Sequence, residues 1–275
     1  VPGDDEILTG QWQLDPGMRL ALRLKTTRAA ADRGDWPRVV LEAEELLDED
    51  PQDADALLLL GNALLELGDA ENAADVLEDH LRVAEASADV LSGLALARFE
   101  MCDLVGATEA AREALRLDGS IAEAHYTLAL AAERQGARDT ATRSLQAAHA
   151  LDPANYPLPL DLHDEHLELA LRHALPAVPP QLVDFWRDVP IAIEEEPSIQ
   201  ELLATSPRLP PTVGGLYAGT PPEGDAVLHA RPEALRLFRR NLARAGSLEA
   251  VARQLALILE QEALDWLGAP LDELV

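Results

Sequence analysis

GDWPRVVLEAEELLDEDP, Gly34 to Pro51, contains the landmarks that organise the first half of the chain. Its opening glycine recurs in register as Gly68, Cys102 and Gly136, each 34 residues after the last, and this period belongs to helix-turn-helix repeats. Asp35, Asp69, Asp103 and, with a change of residue, Ala137 come next in each unit. Val39, Ala73, Ala107 and Ala141 then keep a small residue where two helices must cross closely. The first helix of each unit repeats its apolar positions, with Leu57, Leu60 and Leu64 answered by Leu91, Leu94 and Arg98. Spacings of three and four place those residues on one helical face. Asp50-Pro51 and Asp152-Pro153 close two of the units, because proline cannot continue a helix; Glu85 and Gly119 stand there in the middle two.

Over roughly residues 20 to 153 this pattern resembles the tetratricopeptide repeat family. Four unrelated helical hairpins would not hold one unbroken period. The resemblance implies a mainly α fold, with four hairpins stacked into a solenoid whose inner surface is lined by the first helix of each unit. The inner positions it implies are Arg28, Asp55, Leu58, Asn62, Glu66, Asp89, Phe99, Glu100, Glu123, Tyr126 and Glu133. Such a groove is acidic with aromatic patches, and the expected ligand is a basic or apolar peptide or helix. Chaperone-binding members of the family grip a terminal carboxylate with lysines and asparagines, and only Asn62 resembles that clamp. The alternative for each acid is a solvated surface with no ligand.

Composition narrows the classes of partner. Aromatic residues make up only 4% of the chain, a balance that favours packed helices over strand-rich sandwiches. The formal charge is −28, both halves are acidic, and Lys25 is the only lysine. A field of that sign repels phosphate backbones and anionic headgroups, so neither nucleic acid nor a membrane surface is the expected partner. Cys102 is the single cysteine, which excludes an intrachain disulfide. Val1 to Gly10 carry acids where a secretory signal would carry positive charge, and no apolar run has transmembrane length. The expected location is cytoplasmic.

After Pro153 the register ends and prolines multiply, which predicts an N-terminal extension over 1–19, a solenoid over 20–160 and a second domain over 161–275. A helix is expected from about His163 to Ala174, followed by short strands at Ile191 to Ile193, Gly215 to Ala218 and Ala226 to His229. Two helices complete the reading: Pro232 to Ala245, and Ser247 to Leu267 with Ser247 as N-cap and Gly268 as terminator. With ALPAVPPQL (174–182), IAIEEEPS (191–198), GLYAGTP (215–221) and VLHARP (227–232), this order resembles the minimal zincin-like metallopeptidase family of bacteria.

In that family the last helix carries H-E-x-x-H, two histidines one turn apart on one zinc and a glutamate that activates water. Aligning by Gly268 places Gln261, Glu262, Ala263, Leu264 and Asp265 on the motif, so only the glutamate remains. Leu271 falls where a third ligand is expected, one residue before Asp272. A glutamine amide is a poor substitute for imidazole, so no catalytic residue, no metal and no cofactor is expected. The reading is therefore a small α+β domain without chemistry, appended to an interaction solenoid as a second docking surface. Two alternatives stand beside it: a metal-dependent peptidase using Glu262, Asp265 and Asp272, and a structural subunit of a larger assembly. The sequence leaves the oligomeric state open.

His163, Asp164, Glu165 and His166, with His173 two turns on, read as an ordinary helix surface. Cys102 has no adjacent base and no expected nucleophilic role. Arg236, Arg239, Arg240 and Arg244 form a basic stripe on the expected helix from Pro232, fitted either to pair with the acidic repeats or to dock a partner.

Overall fold

The computed structural model describes residues 16–205, 208–228 and 230–268. The repeat region consists of α1 (Pro16–Ala31), α2 (Trp36–Glu49), α3 (Ala54–Glu66), α4 (Ala70–Val83), α5 (Ala88–Glu100), α6 (Leu104–Leu117), α7 (Ala122–Arg134) and α8 (Arg138–Leu151). Its first helix begins ahead of the expected boundary at residue 20. The helices pack as four antiparallel hairpins, and each first helix also touches the first helix of the next unit, α1 to α3 to α5 to α7. That contact pattern puts the first helices along one continuous face and α2, α4, α6 and α8 behind them.

The period has a backbone cause. Gly34, Gly68 and Gly136 have φ of 71°, 78° and 75°, and Cys102 has φ 65°. Each takes the left-handed conformation that ends a helix, and the residue after it donates back to the helix: Asp35 to Ala30, Asp69 to Leu64, Asp103 to Arg98 and Ala137 to Ala132. Cys102 is the only non-glycine with positive φ among the described residues. The following aspartates then act differently. Asp69 and Asp103 accept from the amides of Asn72 and Gly106, while Asp35 makes no side-chain cap. Val39, Ala73 and Ala107 are fully buried at the crossings, and Ala141 is partly exposed in the last unit. Leu77 of α4 fills the notch between α3 and α5, so close that a Cβ added at Gly61 would lie 2.6 Å from its Cδ2.

The C-terminal unit contains α9 (Asp164–Ala174), α10 (Pro180–Trp186), β1 (Ile191–Glu194), α11 (Ile199–Ala204), β2 (Gly215–Ala218), β3 (Ala234–Phe238), α12 (Arg239–Ala243) and α13 (Leu248–Leu267). The sheet order is β1-β3-β2, with β1 parallel and β2 antiparallel to the central β3. One core joins Leu167 and Ala170 of α9, Leu182 and Phe185 of α10, Leu235 and Leu237 of β3, and Val251, Leu255, Leu259 and Trp266 of α13. Ser247 caps α13 by accepting from the amide of Ala250, and Gly268 ends it with φ 65°.

Two expected elements differ. The segment read as a strand from Ala226 to His229 is a 3-10 turn over Gly224–Leu228, and His229 lies outside the described residues. The helix expected over Pro232 to Ala245 is instead strand β3 running into the five-residue α12. Its Ala-Leu-Arg-Leu-Phe sequence favours helix by propensity, but β3 has a strand on each side, and Leu235 and Leu237 both point into the core at a period of two. Tertiary pairing overrides local preference there. Short α10 and α11 were not anticipated. No helix among the described residues is long and apolar enough to cross a membrane.

Candidate functional site

On the face lined by the first helices, Arg28 and Asp55 pair across α1 and α3 at 2.7 Å, both half-exposed. Asn62, Glu66 and Asp89 are exposed, and Leu58 is partly so. Burial pushes the Glu100 carboxyl above its usual range, and the neighbouring charges of Glu123 and Glu66 push it further in the same direction. Three acids from α3, α5 and α7 therefore share one field. Glu123 also accepts from the hydroxyl of Ser92 at 2.8 Å.

Phe99 does not offer itself to a ligand. It is 1% exposed, packed among Ala107, Leu130, Ala131, Leu104 and Tyr126, so its place is the joint between the third and fourth units. At the fourth unit the face is occupied by the chain itself. Tyr126 lies against Tyr156, ring centroids 4.9 Å apart, and burial, followed by the charges of Glu123 and Asp152, pushes the Tyr156 hydroxyl up to about 12. Glu133 accepts from Arg244 and lies 3.8 Å from Arg240.

Arg134, which the sequence reading passed over, has a side chain only 4% exposed. It donates to the carbonyls of Pro197 at 2.7 Å and Pro211 at 2.5 Å, with Glu196 at 3.5 Å. Register was the available signal: Arg134 stands one and two periods after Glu100 and Glu66, a reversal of charge on an acidic rim.

The four arginines expected as a helical stripe are divided among a strand, a short helix and its cap, and every one is engaged. Arg236 on β3 also binds Glu201 and forms a two-pronged pair with Glu194 at 2.7 and 2.8 Å, and its guanidinium holds the Glu194 carboxyl below its usual range. Arg239 donates to the Leu162 carbonyl and to Asp164, and lies 3.3 Å from Glu195. Arg240 pairs with Glu196 at 3.2 Å, and Arg244 with Glu133. Only Arg240 and Arg244 reach an acid of the repeats, Glu133, while Arg236 and Arg239 pair with acids of the C-terminal unit itself.

At the C-terminal end of α13, Gln261 and Asp265 are exposed and Glu262 is buried. Glu262 Oε2 accepts from the backbone amide of Tyr217 on β2 at 2.8 Å, beneath an edge-on contact between Tyr217 and Trp266. Burial pushes the Glu262 carboxyl up to about 7; the Tyr217 amide opposes this and Asp265 adds to it. These residues do not fit zinc. The two positions that would need imidazole carry an amide and a carboxylate, and the glutamate holds the sheet edge. No three His, Cys, Asp or Glu side chains gather as a metal set among the described residues. His163 instead stacks on His166 at 5.6 Å and lies near Asp161. Leu271 and Asp272 lie outside the described residues.

No curated protein sequence matches the chain. Similar solved structures include MamA from Desulfovibrio magneticus RS-1, 25% identical over 49% of this chain and 76% of that one, with a TM-score of 0.44. Another MamA structure is 23% identical, covers 50% and 75% of the two chains and has a TM-score of 0.45. YrrB, described as a tetratricopeptide repeat protein with an unusual peptide-binding site, is 19% identical over 48% and 68%, with a TM-score of 0.42. The sheet, α12 and the helix bearing the altered motif fall within residues 186–268, and that stretch matches the family model of the zincin-like metallopeptidases.

Proposed function

We propose that the protein is a non-catalytic interaction adaptor, with a repeat solenoid over 20–160 that binds a protein segment and a zincin-like domain over 161–275 that supplies a second docking surface. The observation carrying this reading is the state of α13: Gln261 and Asp265 stand exposed where zinc would need histidines, and Glu262 is tied to the Tyr217 amide. Activity resides in ligands and not in a fold, so a zincin-like scaffold without them is a surface. The partner is a basic or apolar peptide or helix, because the open part of the face carries Asp55, Glu66, Asp89, Glu100 and Glu123 beside Leu58. A cytoplasmic protein partner suits the charge of −28, and nucleic acid does not.

Crosslinking in the source cell, comparing the native chain with Glu66→Lys/Glu100→Lys, tests the groove. A defined partner captured by the first and lost by the second is the expected result. Equal capture by both, with folding intact, removes the groove from the account.

A metal-dependent peptidase remains a second reading because a buried carboxyl near pH 7 is a feature of catalytic acids and bases. It is the weaker one, since that carboxyl already has a structural partner.

A further inference from the structure

We infer that Arg134 is a latch that holds the C-terminal unit across the fourth-unit end of the repeat face, so that a ligand using the whole face must first displace the chain's own segment. The inference rests on the groove reading above and adds a regulation to it.

Arg134 ends the first helix of the last repeat, at the position where the second and third units present Glu66 and Glu100. Its two hydrogen bonds to the C-terminal unit go to backbone carbonyls, of Pro197 after β1 and of Pro211 before β2, beside the Glu196 carboxylate at 3.5 Å. Proline lacks an amide hydrogen, but its carbonyl remains an acceptor, and a buried guanidinium with five donors can bind two separate stretches at once. Behind them Asn241 of α12, 4% exposed, donates to the carbonyls of Pro211 at 2.9 Å and Val213 at 2.7 Å. Its Oδ1 accepts from Arg244, which in turn binds Glu133, the neighbour of Arg134. The circuit thus leaves the repeat region at Arg134 and returns to it at Glu133, passing through two segments of the C-terminal unit, with Pro197 held as a branch.

The same docking shapes the next stretch of the face. A cleft of about 530 Å³ lies between Glu66, Glu100 and Met101 of the repeats and Thr205, Arg208 and Pro210 of the C-terminal unit. Its wall on the C-terminal side immediately precedes Pro211, so release at Arg134 removes one side of that cleft. Opening and partner binding are then coupled, because a ligand that favours the released state shifts the population toward it.

Hydrogen exchange tests the latch without any partner. The amides of Leu209 and Val213, held by Thr205 Oγ1 and the Pro210 carbonyl, report on the segment. In the full chain, Arg134→Met keeps most of the side-chain volume and deletes the donors, and should speed exchange at both amides at least about tenfold while α3 and α5 stay protected. Arg134→Lys, which retains charge but not the fork, should fall between the two. Unchanged exchange in a folded Arg134→Met protein overturns the latch whatever the protein binds. Loss of the groove reading would show separately, as equal capture of a partner by the Glu66→Lys/Glu100→Lys chain. Should Arg134→Met fail to fold, Asn241→Ala tests the same circuit, with faster exchange at Val213 expected and no change contradicting it.

Discussion

The repeat region and the C-terminal unit draw on the same residues, Leu, Ala, Glu and Arg, and use them under different rules. In Ala88–Glu100 the apolar residues meet neighbours one hairpin away, so spacings of three and four both state the helix and build the contact. In Ala234–Phe238 an equally helix-prone sequence becomes the middle strand, because β1 and β2, distant in sequence, flank it on both sides. Local contacts make structure legible from a period, and long-range pairing conceals it. The same contrast separates the two candidate sites: one is a surface repeated along a solenoid, and the other is a single glutamate held by a strand 45 residues away.

If the C-terminal unit depends on that central strand, Leu235→Ala should do the greatest damage. Leu235 is fully buried in the core, and losing its side chain costs about 2–5 kcal/mol. Denaturant unfolding followed by tryptophan fluorescence should show Trp186 and Trp266 exposed at lower denaturant, with the repeat helices melting separately or later. A loss confined to the repeats would reverse the comparison.

Glu262 comes next. Its folded pKa of about 7 stands above the ordinary 4.5, so its protonated form is favoured by folding. The associated stability is complete below pH 4.5, declines as pH rises, and is gone above pH 7, a span worth on the order of 3 kcal/mol. Glu262→Gln should flatten that part of the stability profile. An unchanged slope between pH 5 and 7 would mean that Glu262 does not carry it.

Smaller effects probe the repeat side. Gly61→Ala should raise helix propensity yet destabilise by about 1–2 kcal/mol, since its Cβ would meet Leu77, itself fully buried and wedged against α5. A more stable protein would show that Leu77 has room to move. Cys102→Gly should stabilise by about 1 kcal/mol, because glycine takes a φ of 65° without the steric cost that a cysteine meets. Thermal melting measures both.

Much of the fold was legible in these terms. The 34-residue period marked the four left-handed turns, and Ser247 and Gly268 marked the ends of α13. Strands β1 and β2 showed as short apolar runs between prolines and glycines. Strand β3 was hidden by Leu and Arg, which suit a helix better. The site was only partly legible. Glu262 stood out through its motif, but its bond to the Tyr217 amide is a tertiary contact that no local pattern states. Phe99 repeats the register of Leu65 and Glu133, yet its bulk turns it into the joint between units. The engagement of Arg134, Arg240 and Arg244 depends on how the two regions meet, and that of Arg236 and Arg239 on separate segments of the C-terminal unit coming together; periodicity encodes neither.

The claim that the zincin-like domain works without metal chemistry is tested most directly by titrating zinc into the full chain, purified without chelator, alongside elemental analysis. The account predicts substoichiometric zinc and no saturable heat of binding that depends on α13. One tightly bound zinc per chain, lost in Asp265→Ala, would contradict it.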